Sequence, residues 1–372
     1  MLGWVLPLVV ALIAALQRFA HLARPKGFIF DEVYYVTGAR QFLRHGVEYD
    51  YLKHQSVFIV HPPVGKWIIA GGIKIFGDSE FGWRFAVALI GSLSILILAR
   101  AAKRLFGSTT LGVIAGILLA VDGMHFVHSR VALLDLILMF WALCAFALLL
   151  IDRDKSREFL SLWGEFGPRP YRLLAGVCLG LAAGTKWSGF YIVFAFAVMS
   201  LVWDASAKRQ FENHLTIRNT INTGLTLGIL PIITYIATWI GWFRSTLGWD
   251  RHWADHRSSS FGFVPRALRS LWHYHSEMYF FHVHLHTPHP YQASPWGWLI
   301  LRRPTAFFYF APPTGTNHCM AKTCAQEITA LGNPLIWWAG IFALIFVAYS
   351  FLRKRDWRTG AILTGFLAGY LP

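Results

Sequence analysis

The sequence reads as an all-α, polytopic membrane protein, and three observations carry that reading. Of 372 residues, 55% are hydrophobic and 14% charged, against roughly 25% charged in an ordinary globular domain. The mean hydropathy is +0.46, and apolar runs of bilayer length recur along the chain. Seventeen Trp and thirty Phe suit aromatic belts at both membrane interfaces. The net charge of +15 would suggest nucleic acid in a soluble domain. Here basic loops facing lipid phosphates account for it, and no nucleic-acid motif is present.

The apolar segments expected to form helices are 2–22, 81–105, 111–127, 131–151, 173–185, 187–203, 220–240, 335–351 and one from about Gly360. The first lacks a basic leader region and a small-residue cleavage site, so it reads as a retained helix. The apolar run around Lys186 exceeds one crossing, and its Gly-Thr-Lys-Trp-Ser-Gly centre supplies a turn. With a break there, the basic clusters 100–104, 153–172, 208–218 and 353–358 all fall on one side, which is cytoplasmic by the bias of Lys and Arg. The expected placement is a multi-pass protein of the cell membrane with its N-terminus in the cytoplasm. The run from Gly360 stops at Gly-Tyr-Leu-Pro, partway through an apparent helix, so further helices are expected beyond it.

The expected organisation is a transmembrane catalytic domain over 1–240, a large outer loop over 241–333 and the start of C-terminal helices over 334–372. Within the first outer loop, 23–80, short interfacial helices are expected at 33–43 and 67–76. Between them, two prolines fix the direction of His61 and Lys66. The loop 241–333 is dense in His, Trp, Tyr and Arg and reads as loops and short helices. Cys319 and Cys324 lie close together within it and suit a short disulfide in an oxidising compartment. Cys144 and Cys178, inside apolar runs, read as packing residues.

Asp31 and Glu32 follow the first apolar segment directly. Carboxylates at the edge of a bilayer are costly, which makes the pair a functional-site candidate. Two adjacent acids repel, so at least one is expected to have a raised pKa. Capping of the following helix is the structural alternative. The residues alone do not choose between Asp31 and Glu32.

The motifs together resemble the bacterial protein O-mannosyltransferases. They are the Asp31-Glu32 pair, His61-Pro-Pro-Val-Gly-Lys66, Arg130-Val-Ala-Leu-Leu-Asp135, Gly184-Thr-Lys-Trp-Ser-Gly189, Tyr274-His275, His289-Pro-Tyr-Gln, Pro295-Trp-Gly-Trp298 and Gly332-Asn-Pro-Leu-Ile-Trp-Trp338. Each is weak alone; their joint order is specific. The resemblance implies a GT-C fold with its site on the extracytoplasmic face. It also implies a polyprenyl-phosphate-mannose donor and Ser/Thr acceptors on secreted or membrane proteins. Two departures stand out. The 241–333 loop is too short for the β-trefoil (MIR) insertion of eukaryotic members. Ala293 stands where the family pattern suggests a serine.

Glycosyl transfer to a hydroxyl needs a base, attack at the anomeric carbon and stabilisation of the leaving phosphate. The resemblance points to Asp31 as base, with Glu32 orienting it or binding acceptor. An inverting single displacement is expected, because a retaining route needs a second carboxylate across the bond. Arg130, Lys66 and Lys186 are the phosphate-binding candidates, with His61 and Asp135 in support; snorkelling to lipid headgroups is the alternative for the cations. His275, His289, Trp296 and Trp298 are candidates for an acceptor groove. His282, His284 and His286 alternate as zinc ligands on a strand would, but the resemblance implies no ligand set. No metal is assigned, and no cofactor beyond the donor is expected. Two other readings use the same residues. One is a GT-C transferase with a lipid or glycan acceptor. The other is a transporter, against which the clustering of ionisable motifs at one face and the lack of internal repeats both count.

Overall fold

The computed structural model describes residues 2–211, 214–258, 261–288 and 292–372. Helix α1 (Leu2–Phe19) leads into the long connection 20–79. That segment holds α2 (Glu32–His45), the strand pair β1 (Tyr49–Asp50) and β2 (Gln55–Ser56), and α3 (Val64–Phe76). The bundle continues through α4 (Glu80–Phe106), α5 (Thr109–Ala120), α6 (Gly123–His128), α7 (Leu134–Trp163), α8 (Pro170–Ala183) and α9 (Gly189–Gln210). Next, α10 (Ile217–Gly224) joins α11 (Leu230–Ala237) through a π-helical stretch, Leu225–Ile229, and α12 (Ile240–Arg244) closes this half. The connection after α12 carries α13 (Arg266–His284), α14 (Pro295–Trp298) and a hairpin of β3 (Thr305–Phe310) with β4 (Gln326–Ala330). Helices α15 (Pro334–Lys354) and α16 (Trp357–Tyr370) follow.

Among the described residues, five helices are long and apolar enough to cross a bilayer: α4, α7, α9, the α10–α11 rod and α15. Helices α1, α5 and α8 are apolar but shorter. The expected single segment over 111–127 is not one helix. Asp122 interrupts it and accepts the backbone N–H of His125 at 2.9 Å, which starts α6 as a separate turn. The helix expected at 131–151 starts at Leu134 and runs on to Trp163, ending at Gly164 in the left-handed region (φ 71°). The expected break falls where α8 gives way to α9, around Lys186. The connection between α12 and α15 is more ordered than the expected loops and short helices. It contains the 19-residue α13 and an antiparallel hairpin with register Thr305↔Ala330 to Phe310↔Gln326.

The chain alternates between two ends of the bundle. At one end gather the C-termini of α1, α5, α8 and α11 and the first turns of α4, α7, α9 and α15. At the other, the basic loops bind one another. Arg104 donates to Asp154 at 2.6 Å, Arg358 to the Leu105 carbonyl at 2.8 Å, and Arg153 stacks on Trp357. Inside this basic end, Arg169 and Arg172 bridge Asp152 and Asp204 at 2.6–3.1 Å, and Arg172 also donates to Thr223 at 2.6 Å. All four charged groups are buried. The network ties α7, the segment leading into α8, α8 itself, α9 and α10 into one body. Close helix contact elsewhere depends on small residues. A Cβ on Gly72 would lie 2.4 Å from the Gly82 carbonyl oxygen, so α3 crosses α4 at backbone contact.

Removing one member of a buried ion pair leaves an uncompensated charge, which costs about 3–5 kcal/mol. Asp204→Ala is therefore expected to lower unfolding stability in detergent by that amount. Lys155→Ala, which removes an exposed, solvent-screened pair with Glu158, is expected to leave it nearly unchanged.

Candidate active site

A cavity of about 670 Å³ opens at the end of the bundle away from the basic loops. Asp31, Tyr35, Glu48, His61, Lys66 and His282 are among its lining residues. It lies between the N-terminal part of α2, the segment 57–61 and the C-terminal end of α13.

The two adjacent acids have different environments. Glu32 is fully buried. Its oxygens receive Nε and Nη2 of Arg84 at 2.8 Å each, with the backbone N–H groups of Ile29 and Ala132 at 2.9 Å. Arg84, also fully buried, gives its remaining N–H groups to the carbonyls of Leu22, Pro25 and Gly27. Every strong donor and acceptor of this pair is used. Glu32 is thus a framework residue, in place of the catalytic role expected for it. Asp31 sits at the N-cap position of α2, but its side chain makes no capping hydrogen bond. Its half-buried carboxylate faces the cavity. Burial raises its pKa above the ordinary carboxylate value; Lys186 opposes that rise and Asp135 reinforces it.

The expected phosphate-binding residues divide. Lys186 pairs with Asp135 at 2.8 Å, so the partner of Asp135 is Lys186 across the α8–α9 corner and not Arg130. Arg130 points elsewhere: its Nη1 reaches the carbonyls of Gln17, Arg18 and Ala20 at 2.7–2.9 Å, and Nη2 that of His21 at 3.3 Å. These are the orphan carbonyls at the end of α1. Arg130 acts as a C-terminal cap, a role that its sequence neighbours do not reveal. Lys66 does line the cavity, but it is buried and held by Glu48, itself buried. Gly38 makes room for them, since a Cβ there would lie 2.9 Å from Glu48 Oε1 and 3.1 Å from Lys66 Cδ. Glu48 went unnoticed in the sequence because no motif surrounds it.

His61 stacks on His282 with ring centroids 5.5 Å apart. Burial, with Lys186 and Lys66 nearby, lowers its pKa to about 3. The ring is therefore neutral at physiological pH and able both to donate and to accept a hydrogen bond. His128, not singled out in the sequence, also has a lowered pKa, chiefly from burial, and lies within electrostatic reach of Asp135 and Lys186.

Other expected site residues are placed differently. His275 lies behind the cavity wall, bonded to the Tyr235 hydroxyl at 2.6 Å and stacked on Trp187. Its neighbour Tyr274 accepts the Ile59 N–H at 2.8 Å, so this dipeptide braces the segment leading to His61. Trp296 and Trp298 are exposed on and around α14, outside the cavity lining. His289 lies outside the described residues. His282 and His284 belong to helix α13, not a strand, and two residues apart on a helix they diverge. His282 Nε2 meets the Val60 carbonyl and His284 Nδ1 the Phe280 carbonyl, each at 2.9 Å. Among the described residues no three His, Cys, Asp or Glu gather as metal ligands. Cys319 and Cys324 form a disulfide in the connection between β3 and β4. The hairpin reaches the site: Phe307 stacks on Phe30, beside Asp31, with centroids 4.6 Å apart.

The family model described as dolichyl-phosphate-mannose-protein mannosyltransferase matches residues 8–243, and that of the C-terminal four-transmembrane region of protein-O-mannosyltransferase matches 267–364. The chain belongs to the protein O-mannosyltransferase family. Among relatives of this family, the polyprenol-phosphate-mannose–protein mannosyltransferase of Mycobacterium tuberculosis is 37% identical over all of this chain and 75% of its own length. That of Corynebacterium glutamicum is 31% identical over 98% of this chain and 76% of its own. The protein O-mannosyltransferase assignment makes the chain a glycosyltransferase. The fold is GT-C. The Saccharomyces cerevisiae Pmt1–Pmt2 complex bound to the sugar donor superposes with a TM-score of 0.51 at 21% identity, over 64% of this chain and 33% of that one. The ArnT protein of Cupriavidus metallidurans superposes with a TM-score of 0.53 at 20% identity, over 80% and 47%.

Arg130→Ala is expected to fray the end of α1 and lower stability by about 1.5–3 kcal/mol, the range for hydrogen bonds to a charged group. Donor affinity of the protein that stays folded is expected to be unchanged. Thermal unfolding in detergent, paired with donor titration, checks both.

Proposed function

We propose that the chain transfers mannose from a polyprenyl-phosphate-mannose donor to Ser or Thr hydroxyls of proteins, by a single inverting displacement with Asp31 as general base. One observation carries the choice of base. Of the two adjacent acids, only Asp31 presents a carboxylate to the cavity without a structural hydrogen bond, whereas Glu32 is saturated by Arg84 and two backbone amides. The raised pKa of Asp31 moves a carboxylate towards the range where it takes a proton effectively near neutral pH. The donor and the protein acceptor follow from the names of the bacterial relatives.

In this reading the acceptor hydroxyl approaches Asp31 and loses its proton as its oxygen attacks the anomeric carbon. The bond from that carbon to the phosphate oxygen breaks, and the bonding pair leaves with the polyprenyl phosphate. Lys186 and Lys66 are the cations assigned to the phosphate, with neutral His61 as a hydrogen-bonding partner. Asp135 and Glu48 hold the two lysines in place until donor binds. Residues 1–240 supply the catalytic transmembrane domain, 241–333 an outer segment that covers it and 334–372 the C-terminal helices. The site faces the outside of the cell membrane, opposite the basic loops, and the N-terminus lies in the cytoplasm.

Asp31→Asn is expected to reduce transfer of labelled mannose to a Ser/Thr peptide by about 10²–10⁴-fold, the usual contribution of a general base, while donor still binds. Retention of most activity would sink the assignment. The acidic limb of the pH–rate profile reports the same group. Transfer requires Asp31 ionised, so the rate rises as pH passes upward through its pKa. Lys186 lowers that pKa, so Lys186→Gln is expected to move the limb to higher pH, separately from any fall in maximal rate. A limb unmoved in position would separate Asp31 from Lys186.

A further inference from the structure

A second cavity, of about 760 Å³, lies at the opposite end of the bundle. Two helices measure the separation. Helix α7 carries Asp135 in its first turn and lines this cavity with Phe159 and Trp163 in its last turns. Its 30 residues span about 45 Å. Helix α9 begins just after Lys186 and contributes Lys208 near its end. The cavity has no part in the sugar-transfer chemistry proposed above.

Its chemistry is cationic and amphipathic. The Arg169 and Asp204 that reach its wall are neutralised within the buried network with Arg172 and Asp152. Beyond that network, Lys208 and Arg218 outnumber Glu165 among the lining residues. Lys208 is buried; its ammonium donates to the Gly164 carbonyl at 3.0 Å and lies 5.4 Å from the Phe166 ring. Arg218 is exposed at the start of α10, and Asn219 and Asn222 add amide groups on the same side. Beside that polar face runs an apolar stripe. Ile217, Ile221 and Leu225, spaced four residues apart, are 80%, 55% and 54% exposed. Residues at that spacing share one helix face, and here the face leads from the mouth of the cavity along the outside of the bundle. Trp163, 71% exposed, stands at the rim, as an indole does at a membrane interface.

We propose that this cavity binds an anionic membrane phospholipid, with its phosphodiester head at Arg218 and Lys208 and an acyl chain along the Ile217–Ile221–Leu225 stripe. A cationic pocket joined to a lipid-facing apolar face recognises both halves of such a molecule. Basic pockets between membrane helices on the cytoplasmic side bind anionic headgroups for this reason. A free phosphate would use the head site alone, and a zwitterionic lipid would bring a compensating cation.

The test uses the full chain, purified in detergent and stripped of lipid, with native mass spectrometry and thermal unfolding. The added probes are phosphatidylglycerol, phosphatidylcholine and inorganic phosphate. Phosphatidylglycerol is expected to remain bound and to raise the unfolding temperature above either of the others. Arg218→Gln is expected to weaken phosphatidylglycerol binding about fivefold, the worth of one basic residue near an anionic lipid surface. Arg353→Gln, a basic residue at the same end but outside the lining, is expected to leave it unchanged. Equal effects of the two lipids, equal losses in the two variants, or stabilisation by inorganic phosphate alone matching that of the lipid would each overturn the proposal. If Arg218→Gln fails to fold, the ranking of the three probes on the unaltered chain decides it.

Discussion

The Glu32–Arg84 pair is the constraint on which the cavity end of the bundle depends. Its carboxylate and guanidinium meet through two hydrogen bonds of 2.8 Å with neither group accessible to solvent. A charge pair buried this deeply holds only when every other lone pair and proton is also satisfied. That condition recruits the surrounding backbone: the segment 22–29 on one side and Ala132, just ahead of α7, on the other. The end of α1, the start of α2, α4 and the approach to α7 are thereby fixed together. Asp31, one residue before the pair, inherits a fixed position without using its own side chain to obtain it.

Around this centre the same end of the bundle is braced by other polar contacts. Asp122 caps α6 and also receives the Asn333 N–H and the Trp337 indole N–H at 3.0 and 2.8 Å, which joins α6 to the start of α15. Arg130 closes the end of α1, and Tyr274 holds the backbone before His61. The motifs that resemble the family pattern are thus of two kinds. Some put a side chain into the cavity, as Asp31, His61 and Lys66 do. Others brace the surrounding chain: Arg130 the end of α1, Tyr274-His275 the segment before His61, and the Asn333-to-Trp338 run the junction of α6 with α15.

That division explains what the sequence could disclose. Apolar length and the bias of basic loops were enough to find the long helices and the break at Lys186, because both signals are summed over many residues. The interruption at Asp122 was hidden, since one capping side chain within an apolar run changes the hydropathy little. The pairing of α13 with the cavity wall and the β3–β4 hairpin depend on contacts between residues far apart in the chain. At the site, residue type pointed to chemistry but not to partners. Arg130 and Lys66 are both cations within motifs, yet one caps a helix and the other is clasped by Glu48. Arg84 was detectable in principle as a lone charge early in an apolar helix; what could not be read was that it meets Glu32 rather than lipid.

The hairpin also bears on how the molecule comes into being. Phe30 rests on Phe307, and the apolar cluster beneath Asp31 draws on both Phe307 and Ala330 as well as Ile29, Ile69 and Leu133. A nascent chain shorter than about three hundred residues has one face of that cluster and lacks the other. The carboxylate emerges at residue 31 and the ring beside its neighbour only at residue 307. Completion of that cluster therefore waits for the β3–β4 hairpin, so a chain stopped short of it carries the acid without the ring packed beside it.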